Sequence, residues 1–299
     1  MTILLLGANG QVGHELRRSL ASRGNLVATT RSGELPDGER CEIADFDQPA
    51  TLAALVERIA PTLVVNAAAY TAVDKAEDDE AAAFRANAEA PGVLAKACAS
   101  LGIPLVHYST DYVFDGQGTR PYREDDATAP LGVYGASKLA GEEAVRAAGG
   151  DHLILRTAWV YGARGHNFLR TMVRLGAERD ELRVVADQVG TPTPAYLIAD
   201  TTARLLGTHE QARGTLHLTA SGATSWHGFA EAIVTGAAAR GLLARAPRVT
   251  PITTADFPTR AQRPAYSRME VARLESVLGE PMPGWQTGLD HVLDQMASR

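Results

Sequence analysis

The chain has 299 residues, 45% of them hydrophobic and 21% charged, with a formal net charge of −6. This length suits one large core or two lobes, and the composition is that of an ordinary globular protein, not a disordered or fibrous one. The acidic balance gives no electrostatic reason to expect a nucleic acid as partner, although a small anion held by a local group of arginines is compatible with it.

The chain opens on Thr2-Ile-Leu-Leu-Leu6 with no basic segment before it. Five apolar residues make a strand, far short of a signal core or a membrane span, so a cytoplasmic protein without a membrane partner is expected. Further strands are expected at Leu26–Thr29, Thr62–Asn66, Pro104–Ser109 and His152–Thr157. Helical patterns lie between them at Gln11–Arg23, Pro49–Ile59, Asp79–Leu101 and Tyr134–Ala148. Runs such as "ILLL", "LVVN" and "LILR" are continuously apolar, as in strands covered on both faces, and the alternation reads as βαβ units around a parallel sheet.

Beyond residue 160 the rhythm loosens and proline becomes frequent. Helices are expected at Asn167–Arg179, Tyr196–Leu206, Trp226–Arg240, Met269–Leu278 and Trp285–Met296, with loops and short strands between them. The fold class predicted is α/β: a Rossmann-type doubly wound parallel sheet over residues 1–160, and a smaller α/β substrate lobe over 161–299 with some segments returning to the first domain. The two cysteines, Cys41 and Cys98, fit no ligand or redox spacing and read as free thiols in a reducing compartment. The eight histidines show no metal spacing, and His107 reads as a packed residue.

Gly7, Gly10 and Gly13 follow the first strand and open a helix. Glycines there permit a tight turn and close approach of backbone to a pyrophosphate, which the helix N-terminus attracts. An ordinary strand–helix turn also tolerates them, but their place in the first βαβ unit favours dinucleotide binding. At the end of the second strand, where a carboxylate would normally hold the adenosine ribose, stand Thr30 and Arg31. Arg31 can meet a 2′-phosphate, which leans toward NADPH with NADH as the alternative. Asp45 and Phe46 can border the adenine, although Phe46 reads equally as core. Small residues Ala67 to Ala69 suit a close pass of backbone against a cofactor or the packing of a helix.

Tyr134 and Lys138 lie four apart on one helix face. A free tyrosine has a pKa near ~10, and a lysine one turn away, helped by a positively charged oxidised nicotinamide, favours the tyrosinate, so the expected effect is a lowered Tyr134 pKa. With Thr110 at the end of the preceding strand, the segments "LLLGANGQVG", "VVNAAAYTAVDKAE", "HYSTDYVFDG", "YGASKLAGE", "LRTAWVYG", "NFLRTM" and "DQVGTPT" together resemble the extended short-chain dehydrogenase/reductase superfamily, and within it the dTDP-4-dehydrorhamnose reductases.

That resemblance implies an oxidoreductase that uses NADPH to reduce the C4 carbonyl of dTDP-4-dehydro-β-L-rhamnose to dTDP-L-rhamnose, the last step of dTDP-rhamnose biosynthesis. It implies that Thr110 orients the carbonyl, that Tyr134 donates the proton, and that Lys138 tunes Tyr134 and binds the nicotinamide ribose. Gly10, Gln11 and Val12 are implied to hold the pyrophosphate, with Ala69, Tyr70, Thr71 and Tyr108 along the cofactor. Asp111 is implied to contact the sugar, Trp159 to stack on the nucleotide-sugar or fill the seam between lobes, and Asn167 and Arg263 to lie on the diphosphate side. Related dehydratases carry Thr-Asp-Glu where this chain has Thr110-Asp111-Tyr112; without the glutamate, elimination loses a proton donor and simple reduction is favoured.

The resemblance departs over metal. Some members hold magnesium at a dimer contact through acidic side chains, and Glu15 matches one ligand, but Tyr196 and Gln295 stand at the other places. A hard cation wants carboxylate oxygens, so no magnesium is expected, and the chain is read as a monomer or homodimer. Two alternatives stay open: a 4-ketoreductase for another dTDP-deoxysugar, and a non-catalytic regulatory subunit that binds the cofactor.

Overall fold

The computed structural model describes residues 1–207 and 212–298. The first half runs β1 (Thr2–Leu6), α1 (Gln11–Leu20), β2 (Asn25–Thr30), β3 (Glu42–Ile43), α2 (Ala50–Ile59), β4 (Leu63–Asn66), α3 (Val73–Ala76), α4 (Glu80–Phe84), α5 (Ala90–Leu101), β5 (Leu105–Thr110), α6 (Val133–Ala147) and β6 (His152–Thr157). The second half continues with β7 (Val160–Tyr161), α7 (Phe168–Glu178), β8 (Glu181–Val185), β9 (Val189–Gly190), β10 (Thr193–Pro194), α8 (Ala195–Leu205), β11 (Gly214–His217), β12 (Thr224–Ser225), α9 (Trp226–Ala239), β13 (Arg248–Ile252), α10 (Ala272–Leu278) and α11 (Trp285–Ala297).

Seven strands form one parallel sheet in the order β11-β6-β5-β4-β1-β2-β3. This is the doubly wound Rossmann arrangement, with its switch point between β1 and β4; ligands of such sheets bind beyond the carboxyl ends of the strands there. Successive side chains leave a strand on opposite faces. Accordingly Ile3, Leu5, Val65, Val106 and Leu155 enter one apolar cluster, while Leu4, Leu6, Val64, Leu105 and Ile154 enter another. Both faces are covered, which is why the strands are apolar throughout.

Two departures from the expected elements have clear causes. The single helix expected over Asp79–Leu101 is divided into α4, a π-helical turn at Arg85–Glu89, and α5. Pro91 at the start of α5 has no N–H to continue a regular ladder, and the wide turn before it turns Asn87 inward, where it is fully buried. The last strand of the main sheet, β11, comes from the C-terminal half and pairs with β6, Gly214 opposite Leu153. Its four residues "GTLH" offer too short a run to stand out. The same half also returns α8, which packs on α1 through Ile198, Ala199, Leu16 and Leu20. The rest of that half pairs β8 with β13 in parallel, against α7 and α9. Among the described residues, no helix is long and apolar enough to cross a membrane.

Candidate active site

The glycine turn after β1 is shaped for close approach. Gly7 has φ +78°, and a Cβ there would meet Ala68 N at 2.6 Å; a Cβ on Gly13 would collide with the Gly7 carbonyl. Gly10 caps α1 in an extended conformation (φ −71°, ψ 170°), with no side-chain cap and no acid in the first turn. The first-turn N–H groups of a helix have no partner within it, so Gln11, Val12 and Gly13 present main-chain donors and the positive dipole end to an anion. A cradle that a Cβ would fill, beside an uncapped helix start, fits a dinucleotide pyrophosphate. The Val12 side chain turns away and packs against the core.

Across the switch point, Ala69 and Thr71 are exposed and Tyr70 is half-buried. Asn87 clamps this loop: its Oδ1 accepts from Tyr70 N at 2.8 Å and its Nδ2 donates to Tyr70 O at 3.0 Å and to Ser137 Oγ at 3.0 Å. Sequence reasoning missed Asn87, and nothing in its local pattern marks it.

At the end of β2, Thr30 is buried and its hydroxyl accepts from Glu34 N at 3.1 Å, so it shapes the following turn. Arg31 is exposed and stands 3.8 Å from Asp45 and 3.6 Å from Asp47. Asp45 Oδ1 also accepts from Asp47 N at 3.0 Å. The Phe46 ring lies in the apolar cluster with Leu4, Leu6 and Leu52, as the core reading of this residue expects.

Thr110 ends β5, and Tyr134 and Lys138 occupy the first turns of α6. Glu77 starts that helix by accepting from Val133 N at 2.9 Å, and Gly135 allows it to rest on the Tyr112 carbonyl, where a Cβ would collide. The Tyr134 phenol is pushed up from its ordinary value by burial, with Asp111 adding to the rise and a hydrogen bond with the Thr110 hydroxyl opposing it. The lowering expected from Lys138 together with an oxidised nicotinamide is not seen in the protein alone, where burial wins and the phenol is neutral at ordinary pH. Lys138 is 2% exposed and donates Nζ to Tyr108 O at 2.6 Å. Burial lowers it to about 8, with Glu142 opposing. Tyr108 was expected along the cofactor, but its ring leaves the other face of the sheet and its hydroxyl meets Thr202 Oγ1 at 2.8 Å. What it offers Lys138 is its carbonyl. His107 is buried, with Nδ1 accepting from Asn66 Nδ2 at 3.1 Å, and burial holds it neutral.

Asp111 adjoins this trio. It is 2% exposed; Oδ1 accepts from the Thr110 hydroxyl at 3.0 Å, while Oδ2 is buried with no partner. Burial raises its carboxyl to about 6, against hydrogen bonds from Ser267 and Thr110. Tyr112 meets Tyr134 edge to face, ring centroids 5.5 Å apart. Its hydroxyl accepts from Arg263 Nη1 at 3.1 Å, and Arg263 Nη2 donates to Asp74 at 2.6 Å. The Arg263 guanidinium thus bridges the loop before α10 to α3, beside Tyr112.

Asn167 is occupied in a different way from that expected. Its Nδ2 lies within hydrogen-bond reach of Gln11 Oε1 (2.8 Å), Gly162 O (2.9 Å) and Arg164 O (3.0 Å), and its Oδ1 caps α7. It therefore ties the glycine-turn helix to α7 and has no free amide to offer a diphosphate. Trp159 has a left-handed backbone (φ +49°) and is half-buried, its indole stacked on Trp226 at 3.6 Å and 4°. Glu15, the one expected metal-ligand match, pairs with Arg18 at 3.3 Å, and Gln295 Nε2 lies 3.0 Å from His291 Nε2. Among the described residues, no three His, Cys, Asp or Glu side chains gather as a metal site.

The family described as the RmlD substrate binding domain matches residues 1–298. A dTDP-4-dehydrorhamnose reductase of Burkholderia thailandensis is 51% identical over 297 residues, 96% of each chain. One of Escherichia coli K12 is 43% identical over 299 residues, 99% of this chain and 98% of that one. Among solved structures, a dTDP-4-dehydrorhamnose reductase of Clostridium acetobutylicum superposes with a TM-score of 0.89 at 37% identity, covering 99% of both chains. The Bacillus anthracis enzyme, in complex with NADP, gives a TM-score of 0.88 at 34% identity over 98% of this chain and 99% of that one. Matched along nearly its whole length, the chain belongs to the RmlD substrate binding domain family.

Proposed function

We propose that the protein is an NADPH-dependent reductase of the C4 carbonyl of dTDP-4-dehydro-β-L-rhamnose, yielding dTDP-L-rhamnose. The observation that carries this reading is the Thr110–Tyr134 hydroxyl pair, with the Tyr134 phenol kept neutral by burial, beside the unpartnered Asp111 Oδ2. The shared name of relatives at 51% and 43% identity supports the choice of sugar.

The nicotinamide, when bound, supplies the hydride. With the sugar bound, Thr110 turns its hydroxyl from Asp111 Oδ1 to the carbonyl oxygen beside that of Tyr134, and Tyr134 gives up its proton as negative charge develops there. The Lys138 ammonium, one turn along, stabilises the phenolate that remains and would hold the ribose of a bound nicotinamide nucleotide through its remaining N–H groups. Asp111 Oδ2 accepts from a sugar hydroxyl. Tyr112 has no carboxyl to serve an elimination, which favours reduction over dehydration. Residues 1–160 hold the dinucleotide, and the segments from 161 on, apart from α8 and β11, supply most of the sugar-nucleotide side. We place the enzyme in the cytoplasm, where thiols such as buried Cys98 stay reduced.

Generating the 4-keto sugar nucleotide in situ and following NADPH absorbance tests this reading. Steady oxidation is expected, with Tyr134→Phe lowering kcat by about 10²–10⁴-fold at nearly unchanged NADPH affinity. Wild-type protein that binds NADPH and leaves it unoxidised would sink the proposal. Turnover of a different 4-keto-deoxysugar in preference would instead move the substrate assignment.

A further inference from the structure

One turn beyond Lys138 on α6, the Glu142 side chain is 0% exposed and receives three charge-assisted hydrogen bonds. Arg156 of β6 donates Nε to Oε1 at 2.8 Å and Nη2 to Oε2 at 2.7 Å, and Arg146 donates Nη2 to Oε2 at 2.6 Å. The Arg156 guanidinium is itself buried and lies 5.1 Å from the Phe114 ring centroid. Only Arg146, its side chain 37% exposed, reaches solvent. It does so in a surface groove of about 810 Å³ that Arg123, Glu143, Glu270 and Arg273 also line. Buried ion pairs stabilise weakly or not at all relative to an apolar packing of the same volume, so stability alone is a poor reason for this one.

Glu142 shares that face of α6 with Arg146, four residues later, and with Lys138, four residues earlier. The Lys138 ammonium is buried, and although its hydrogen bond to the Tyr108 carbonyl favours the charged form, desolvation still holds it below its ordinary value. The other ionisable groups packed around it do not help. His107 on β5 and Tyr134 on α6 are both neutral, and Arg156 on β6 stands behind Glu142. Asp111, beyond Thr110, neighbours Tyr134. Glu142 is the group that opposes the loss of the Lys138 proton.

We propose that Glu142, locked in place by Arg156 and Arg146 one turn from Lys138, is a positioning residue that keeps the buried Lys138 charged. Its role in turnover rests on the reading of Lys138 given under Proposed function; its effect on the lysine does not.

The chain has only three lysines, Lys75, Lys96 and Lys138. Lysine labelled with ¹³C at Cε therefore gives three resonances by NMR, and Lys138→Met identifies the third. In the cofactor-free protein the Lys138 midpoint should lie at about 8, well below the ordinary lysine value. Glu142→Gln should lower it further, by about one pH unit or more, and Glu142→Asp should restore most of the difference. Generic loosening of α6 would instead raise the midpoint toward that of an exposed lysine. A midpoint that stays or rises in folded Glu142→Gln overturns the proposal. If that variant does not fold, Arg146→Gln decides: less neutralised, Glu142 should move the midpoint up, and an unmoved midpoint overturns the proposal. The basic limb of the kcat pH profile should move with the midpoint. Absence of wild-type turnover would refute the reductase reading while leaving the NMR result to stand.

Discussion

Lys138 Nζ donates to the main-chain carbonyl of Tyr108 at 2.6 Å, while the Tyr108 ring leaves the opposite face of the sheet to pair with Thr202. The strand lends the site its backbone and keeps the side chain for the core. Tyr108→Phe should therefore change kcat/KM by less than about twofold while losing about 1 kcal/mol of stability with the buried hydroxyl contact. Steady-state kinetics and urea unfolding measure the two effects; a tenfold loss of turnover at full stability would place the ring in the site.

Folding raises the Asp111 carboxyl from 3.8 to about 6, chiefly through burial. A proton held more tightly in the folded chain favours folding below about pH 4, and that contribution is lost as pH rises through about 6. Asp111→Asn cannot ionise, so relative to wild type it should gain stability as pH rises, by about 3 kcal/mol at most near pH 8. The same change removes the acceptor proposed for the sugar and should lower kcat/KM. Denaturant midpoints at pH 4.5 and 8 give the comparison; a difference independent of pH would show that the folded carboxyl is not raised.

Arg31 is the exposed cation at the end of β2, and Asp45 and Asp47 both stand near it. Arg31→Ala should raise KM for NADPH by about tenfold, the loss of one charge-assisted contact to a 2′-phosphate, and leave KM for NADH unchanged. Equal effects on both cofactors would show that Arg31 does not read the 2′ position.

The β9–β12 pairing sets Gly190 against the Trp159 indole, where a Cβ would meet the ring at 2.5 Å. Trp159 already has φ +49° and its ring lies 3.6 Å from Trp226, so it has little room to yield. Gly190→Ala should cost about 1–3 kcal/mol of stability and raise KM for the sugar nucleotide with little change for NADPH. The near-ultraviolet signal of the stacked indoles reports the displacement. An unchanged signal with normal kinetics would show that the indole is not confined there.

Much of this molecule is legible in local pattern. Apolar runs of strand length announced the buried parallel sheet, because strands covered on both faces have no polar side to show. Glycines directly after β1 marked the turn that only glycine fits, and the four-residue spacing of Tyr134 and Lys138 put both on one face of α6. What one sequence could not show is where each side chain leaves its element and what it meets there. That the Tyr108 ring turns to α8 and the Phe46 ring joins the core, that Asn167 ties α7 to α1, and that Asn87 braces the loop after β4 from inside a π-helical turn all depend on partners distant in the chain. The buried Glu142–Arg156 pair and the return of β11 to the sheet edge depend on such partners as well. Periodicity and spacing are short-range and set the elements and their order. The charge state of Tyr134, Lys138 and Asp111 is set by burial and by neighbours from other strands and loops, so only the packed tertiary structure decides it.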